Sequence, residues 1–162
     1  MLGSAAAVMG GLGMAGLARG EPAAAGERVA WPEVTLLDGT RFGAAQAAGQ
    51  AVVAVFWSTT CPFCRRHNPH VEKLHRAARA AGRPLTVLGI ARDRDAAAVR
   101  AHARERGYTF LITLDSAPLA AALSQRNLIP LTVTVDRQGR LKQVIPGEMF
   151  EEDVMELLGL AG

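Results

Sequence analysis

Residues 51–57 read AVVAVFW, seven apolar residues in an unbroken row, three of them valine. A surface helix spaces its apolar residues three and four apart, and a half-exposed strand alternates them. A short continuous run rich in β-branched side chains describes a strand covered on both faces. Such a strand needs a layer above it and a layer below it. The run also breaks sharply: STTCPFCRR, residues 58–66, follows at once and holds both cysteines of the 162-residue chain. From Pro62 onward the pattern is helical. Proline suits a first helical turn, Gly82 suits the stop, and Pro69 between them predicts a kink. Cys61-Pro62-Phe63-Cys64 therefore stands where a buried strand hands over to a helix.

The rest of the chain repeats this layering. Residues 84–91, PLTVLGIA, form a second apolar run, and residues 93–107 an amphipathic helix ending at Gly107. Asp95 is placed to cap that helix. Residues 108–115 read as a strand or extended segment, and residues 116–127 as a short helix. Residues 129–147 read as two strands joined by a tight turn at Asp136–Gly139, and residues 148–160 as a last amphipathic helix with Met149 and Met155 in the core. Ahead of the first run, WPEVTLLDGTRF (residues 31–42) alternates and turns at Asp38-Gly39, a hairpin signal. No repeat and no interior linker interrupts this order, so an α/β layer fold in one domain is predicted.

Residues 1–18 carry no charged side chain and are rich in glycine. Pro22 follows as a breaker, and Ala23-Ala24-Ala25 matches a small-residue cleavage pattern. Residues 1–25 read as an export signal, with an uncleaved anchor as the alternative, and residues 26–162 as the folded domain. The first arginine is Arg19, so a basic start to the signal is missing. Either reading places the domain outside the cytoplasm, at the periplasm or the outer membrane face, where a thiol pair can be oxidised.

Composition removes several functions. Lys and Arg number 18 against 15 Asp and Glu, a net charge of +3, and no basic run is longer than Arg65-Arg66. A nucleic-acid surface needs a clustered basic stripe, so none is expected. Two cysteines cannot build a disulfide framework. His67, His70, His75 and His102 are expected as solvated helix positions, with Arg65 and Arg66 at the helix's exposed edge.

At a helix N-terminus, unpaired backbone N–H groups and the dipole favour an anion. Cys61 is thus a candidate thiolate, the nucleophilic form of cysteine. Cys64 follows one turn on, within disulfide reach. A redox pair is the leading reading. Structural zinc would need four ligands, and no cysteine remains to supply them. An inert crosslink over so short a loop constrains little. A Cu(I)-binding chaperone stays open as the rival, since soft thiolates outside the cytoplasm suit Cu(I).

The run VFWSTTCPFCRRHNPHVEKL resembles the active-site segment of the thioredoxin superfamily, and within it the TlpA and ResA branch of exported thiol-disulfide oxidoreductases. WPEVTLLDGTRF is similar to that branch's N-terminal hairpin, and IPLTVTVDRQGR to its cis-proline segment and following strand. The resemblance implies a thioredoxin-like fold: a central mixed β-sheet flanked by helices, with an N-terminal β-hairpin and an inserted short helix. It implies that Cys61 attacks a target disulfide, that Cys64 resolves the mixed disulfide, and that a cis Pro130 faces the pair. The backbone of Ile129 would pair with an extended substrate, and Trp57, Thr60, Pro62 and Phe63 would shape the rim. No cofactor is implied beyond the redox-active disulfide Cys61–Cys64, and no metal.

The implied partners are thiols and disulfides of exported proteins, apocytochrome c among them, and a membrane thiol electron donor of the DsbD or CcdA type. The expected state is monomeric and the expected direction reduction, with a disulfide oxidase as the alternative. Two departures stand out. Thr60 occupies a position where thioredoxins often carry Trp. The strand before the motif holds no buried acid. The resemblance implies one near the end of the next strand instead, where Asp93 is the candidate proton relay to Cys64, with a helix-start cap as its alternative role.

Overall fold

The structure, a computed structural model, describes residues 21–162. A hairpin comes first, with β1 (Val34–Thr35) and β2 (Arg41–Phe42), followed by the single helical turn α1 (Ala44–Ala47). Then come β3 (Ala51–Trp57), α2 (Pro62–Ala80), β4 (Leu85–Ala91) and α3 (Ala96–Arg106). β5 (Leu111–Thr113), α4 (Ser116–Leu123), β6 (Leu131–Val135) and β7 (Leu141–Pro146) follow. α5 (Glu151–Glu156) runs into a closing 3₁₀ turn, Leu157–Ala161. Five strands form one mixed sheet in the order β5-β4-β3-β6-β7. β3 lies at its centre, parallel to β4 and antiparallel to β6.

All seven residues of β3 are buried, as the unbroken run predicts. Its side chains alternate between two cores. Ala51, Val53, Val55 and Trp57 pack with Cys64, Val71 and Leu74 of α2, Val99 of α3 and Val154 of α5. Val52, Ala54 and Phe56 pack with Val34 and Phe42 of the hairpin and Leu119 and Leu123 of α4. Burying a side chain such as Leu74 or Phe56 contributes about 1.5–3 kcal/mol.

α2 starts as the sequence dictates. Cys61 is the N-cap in an extended conformation (φ −85°, ψ 115°), with Pro62 in the first turn. The helix continues through Pro69, which sits on its exposed face, and stops at Ala81 ahead of Gly82 (φ +60°). Asp95 caps α3 by accepting N–H bonds from Ala97 and Ala98, and Gly107 ends it in the left-handed region.

The hairpin docks on the β5 edge: Leu37 donates to the Ile112 carbonyl at 2.8 Å, and Leu36 bridges to Thr113. Of the strand or extended segment expected over residues 108–115, Leu111–Thr113 is strand. The N–H groups of Thr109 and Phe110 go instead to the Glu72 carboxylate on α2. Ordered contacts begin before residue 26: the Ala23 N–H donates to the Ala122 carbonyl at 3.1 Å. Residues 1–20 of the expected leader lie outside the described residues. Among the described residues no helix is long and apolar enough to cross a membrane.

Candidate active site

β3 delivers the motif. Where it ends, the Arg92 N–H donates to the Trp57 carbonyl at 2.8 Å and fixes the exit of the strand. The next turn is held from the side. Thr59 donates both its N–H and its hydroxyl to the Asp93 carboxylate. Cys61 then opens α2. Its sulfur accepts the Cys64 N–H at 3.2 Å, the capping bond of the helix. The Cys61 thiol in turn faces the Ile129 carbonyl at 3.9 Å. The Ile129–Pro130 bond is cis. This loop is tied down by the Gly147 N–H, which donates to the Pro130 carbonyl at 2.8 Å. Residues 68 positions apart thus meet at one sulfur.

The two thiols differ in environment. Cys61 is half-buried and Cys64 is 1% exposed. Burial, reinforced by its bond to Cys61, pushes the Cys64 thiol up to about 12. Cys61 receives an N–H at a helix start, an arrangement that suits a sulfur anion. Chemically this is an accessible nucleophile with a protonated second thiol behind it. Among the described residues no group of three or more His, Cys, Asp and Glu is placed to share a metal ion.

Thr60, Pro62 and Phe63 are exposed around Cys61, and Ile129 is half-buried across from it. Trp57 does not belong with them. It is 0% exposed and lies edge-on to Tyr108 with ring centroids 5.9 Å apart. As the last residue of a two-sided strand it points into the core, so the expectation of a rim role is corrected. Asp93 is beside the motif, but its hydrogen bonds go to Thr59 and none goes to either sulfur. It braces the loop.

Two of the four histidines also depart from expectation. His67 and His75 are 0% and 7% exposed, because α2 is covered by the sheet and also by α5 and the segment before it. Burial, with His70 adding to it, lowers His67 to about 4, against the pull of Asn68 and Glu148. His70 and His102 are half-buried.

Sequence reasoning missed further parts of the surroundings. Leu128 and Phe150, with Phe63, are the large apolar residues exposed among the described residues. Leu128 adjoins Ile129, and Phe150 ends the segment that starts at Gly147. The adjacency of Leu128 to the proline loop was a usable signal; Phe150 offered none. Arg66 pairs with Glu148 at 2.8 Å and lies over the Phe63 ring at 4.9 Å. That tie joins α2 to the segment after β7.

Residues 24–158 match the Redoxin family. The chain is 27% identical over 106 residues to the thiol-disulfide oxidoreductase ResA of Geobacillus kaustophilus, covering 65% of this chain and 60% of that protein. It is 26% identical over 124 residues to ResA of Halalkalibacterium halodurans, covering 76% and 69% of the two chains. Among solved structures, a secreted thiol-disulfide isomerase from Corynebacterium glutamicum superposes with a TM-score of 0.74 at 27% identity, over 82% of this chain and 84% of that one. A thioredoxin-family thiol:disulfide interchange protein from Chlorobium tepidum gives a TM-score of 0.76 at 23% identity, over 85% and 97%, and shares the fold.

Proposed function

Because the chain belongs to the Redoxin family, we propose that it is a ResA-like thiol-disulfide oxidoreductase acting on exported proteins. The observation that carries this reading is the asymmetry of the pair. Cys61 caps a helix and faces the Ile129 carbonyl, while Cys64 is buried and protonated behind it. Cys61 attacks the target disulfide and forms a mixed disulfide; Cys64 then attacks Cys61 and releases the reduced target. The Ile129 backbone receives an extended stretch of the target beside Pro130. Thr60, Pro62 and Phe63 form the rim, and Leu128 and Phe150 extend its apolar surface.

The direction is reduction, and apocytochrome c before haem attachment is the kind of target this reading favours. A membrane thiol transporter of the DsbD or CcdA type returns the electrons. Residues 1–25 act as the leader and residues 26–162 as the redox domain. The secreted isomerase among the similar structures supports a place outside the cytoplasm.

A trapping experiment tests the reading. With Cys64→Ala, the mixed disulfide cannot be resolved, so targets stay attached to Cys61 in the native host. Apocytochromes are expected on Cys61. A chain that traps nothing and fails to reduce a model disulfide overturns the proposal. For direction, a reduction potential near or above about −120 mV, the range of dedicated oxidants, would rule out a reductase.

A further inference from the structure

Resolution asks something of Cys64 that its surroundings oppose. A thiol buried to 1% exposure must become a thiolate to attack Cys61. Asp93, the carboxylate bonded to the turn before the motif, is engaged by Thr59. What lies on the buried side of Cys64 is different in kind. Asn68 is one turn further along the same face of α2, 1% exposed, and its Nδ2 has no hydrogen-bond partner among the described residues. Tyr108, which follows α3, is 8% exposed and its hydroxyl is likewise unpartnered. The Trp57 Nε1 is a third buried donor without an acceptor.

These groups share one core with Cys64 or border it. Trp57, His102 and Tyr108 form an aromatic wall with ring centroids 5.7–5.9 Å apart, and Phe110 stacks on Tyr108 at 5.1 Å. Burial above all raises the Tyr108 hydroxyl; Arg106 and Arg65 draw it down, a charge on Cys64 adds to the rise and the Asn68 amide opposes it, although the amide is not in hydrogen-bond geometry. Unpaired donors in a buried site cost about 1–3 kcal/mol each. Two of them in or against the core that also buries a thiol that must ionise call for an account.

We propose that Asn68 and Tyr108 are positioning residues for Cys64, turning their N–H and O–H toward its sulfur as it ionises, with Trp57 walling the pocket. This rests on the redox reading above. In the balanced step, Cys64–SH and the mixed disulfide Cys61–S–S–R give the Cys61–Cys64 disulfide and R–SH. The Cys64–S⁻ to Cys61 bond forms, the Cys61 to R bond breaks, and the proton of Cys64 ends on the released target sulfur. The two electrons go to the target.

Dithionitrobenzoate separates the two steps on the full chain. Attack by Cys61 releases one thionitrobenzoate; attack by Cys64 releases the second. Tyr108→Phe keeps the ring and Asn68→Leu keeps the branched shape and heavy-atom count. Each is expected to slow the second release about tenfold, the loss of one hydrogen bond to a charged group, and leave the first unchanged. The pH midpoint of the second release is expected to rise in both variants. The charged and titratable neighbours of Tyr108, namely Arg65, Arg106 and His102, are left in place. Second release at the wild-type rate in both variants overturns the proposal, as does equal slowing of both releases, which marks a structural effect. A wild-type chain that releases only the first equivalent overturns the redox reading itself.

Discussion

Gly89 in β4 shows how tightly the sheet is fitted behind the motif. A β-carbon there would stand 2.6 Å from Phe110 Cε2 and 2.9 Å from Trp57 Nε1. Neither ring can retreat, since Trp57 and Phe110 are 0% and 4% exposed. Gly89→Ala is expected to lower unfolding free energy by about 1–3 kcal/mol, read from the urea midpoint at constant slope. At this scale the sequence was legible where residue type alone decides. Cys61 at a strand-to-helix junction and Asp95 three residues before Ala98 announce their places at helix starts through local geometry. Trp57 and His67 do not. Whether an aromatic at the end of a strand turns to the rim or the core, and which helix positions a distant segment covers, is set by α3, α5 and residues 147–150. None of these lies nearby in sequence.

Among the elements, α2 owes its attitude to a carboxylate clip as well as to its apolar face. Glu72 accepts from the Thr109 N–H at 2.7 Å, the Thr109 hydroxyl at 2.6 Å, the Phe110 N–H at 3.3 Å and Arg76 at 2.7 Å. Burial alone would push this carboxyl up; the bonds from Arg76, Thr109 and Phe110 hold it below the usual range. Glu72→Gln keeps the size but removes the charge and one acceptor. A loss of about 1–3 kcal/mol is expected in denaturant unfolding, with faster amide exchange at Thr109 and Phe110. The same clip explains why only Leu111–Thr113 of the expected strand or extended segment over residues 108–115 is strand. Strand propensity is visible in a string of residues; a side chain from 37 positions away capturing the backbone is not. The central strand and the long helix were legible because burial on both faces and a proline-started amphipathic pattern are each written within one segment.

For the molecule as a whole, acid is the expected weakness. His67 has an ordinary value of 6.5 and about 4 in the folded chain, so between those limits the unfolded chain binds a proton that the folded chain refuses. Stability from this group is therefore complete above about pH 6.5 and falls as pH drops toward 4, by roughly 3 kcal/mol for a shift of this size. Glu72, held low, adds its own loss further down the carboxylate range. Unfolding free energies measured from pH 7 to 4 are expected to fall more steeply in the wild type than in His67→Leu, with His70 and Glu148 facing the site in both. Equal slopes would show that His67 does not govern the window.

The pairing of β3 with β6 has a consequence for the life of the chain before it is finished. The Ile129 carbonyl reaches Cys61 only because those two strands lie side by side, and it is made 68 residues after the cysteine. A nascent chain that has not closed this contact carries two thiols in the motif without the Ile129 backbone across from them. On the proposed role of Ile129, an agent that unzips β6 is expected to lower activity while leaving both cysteines untouched.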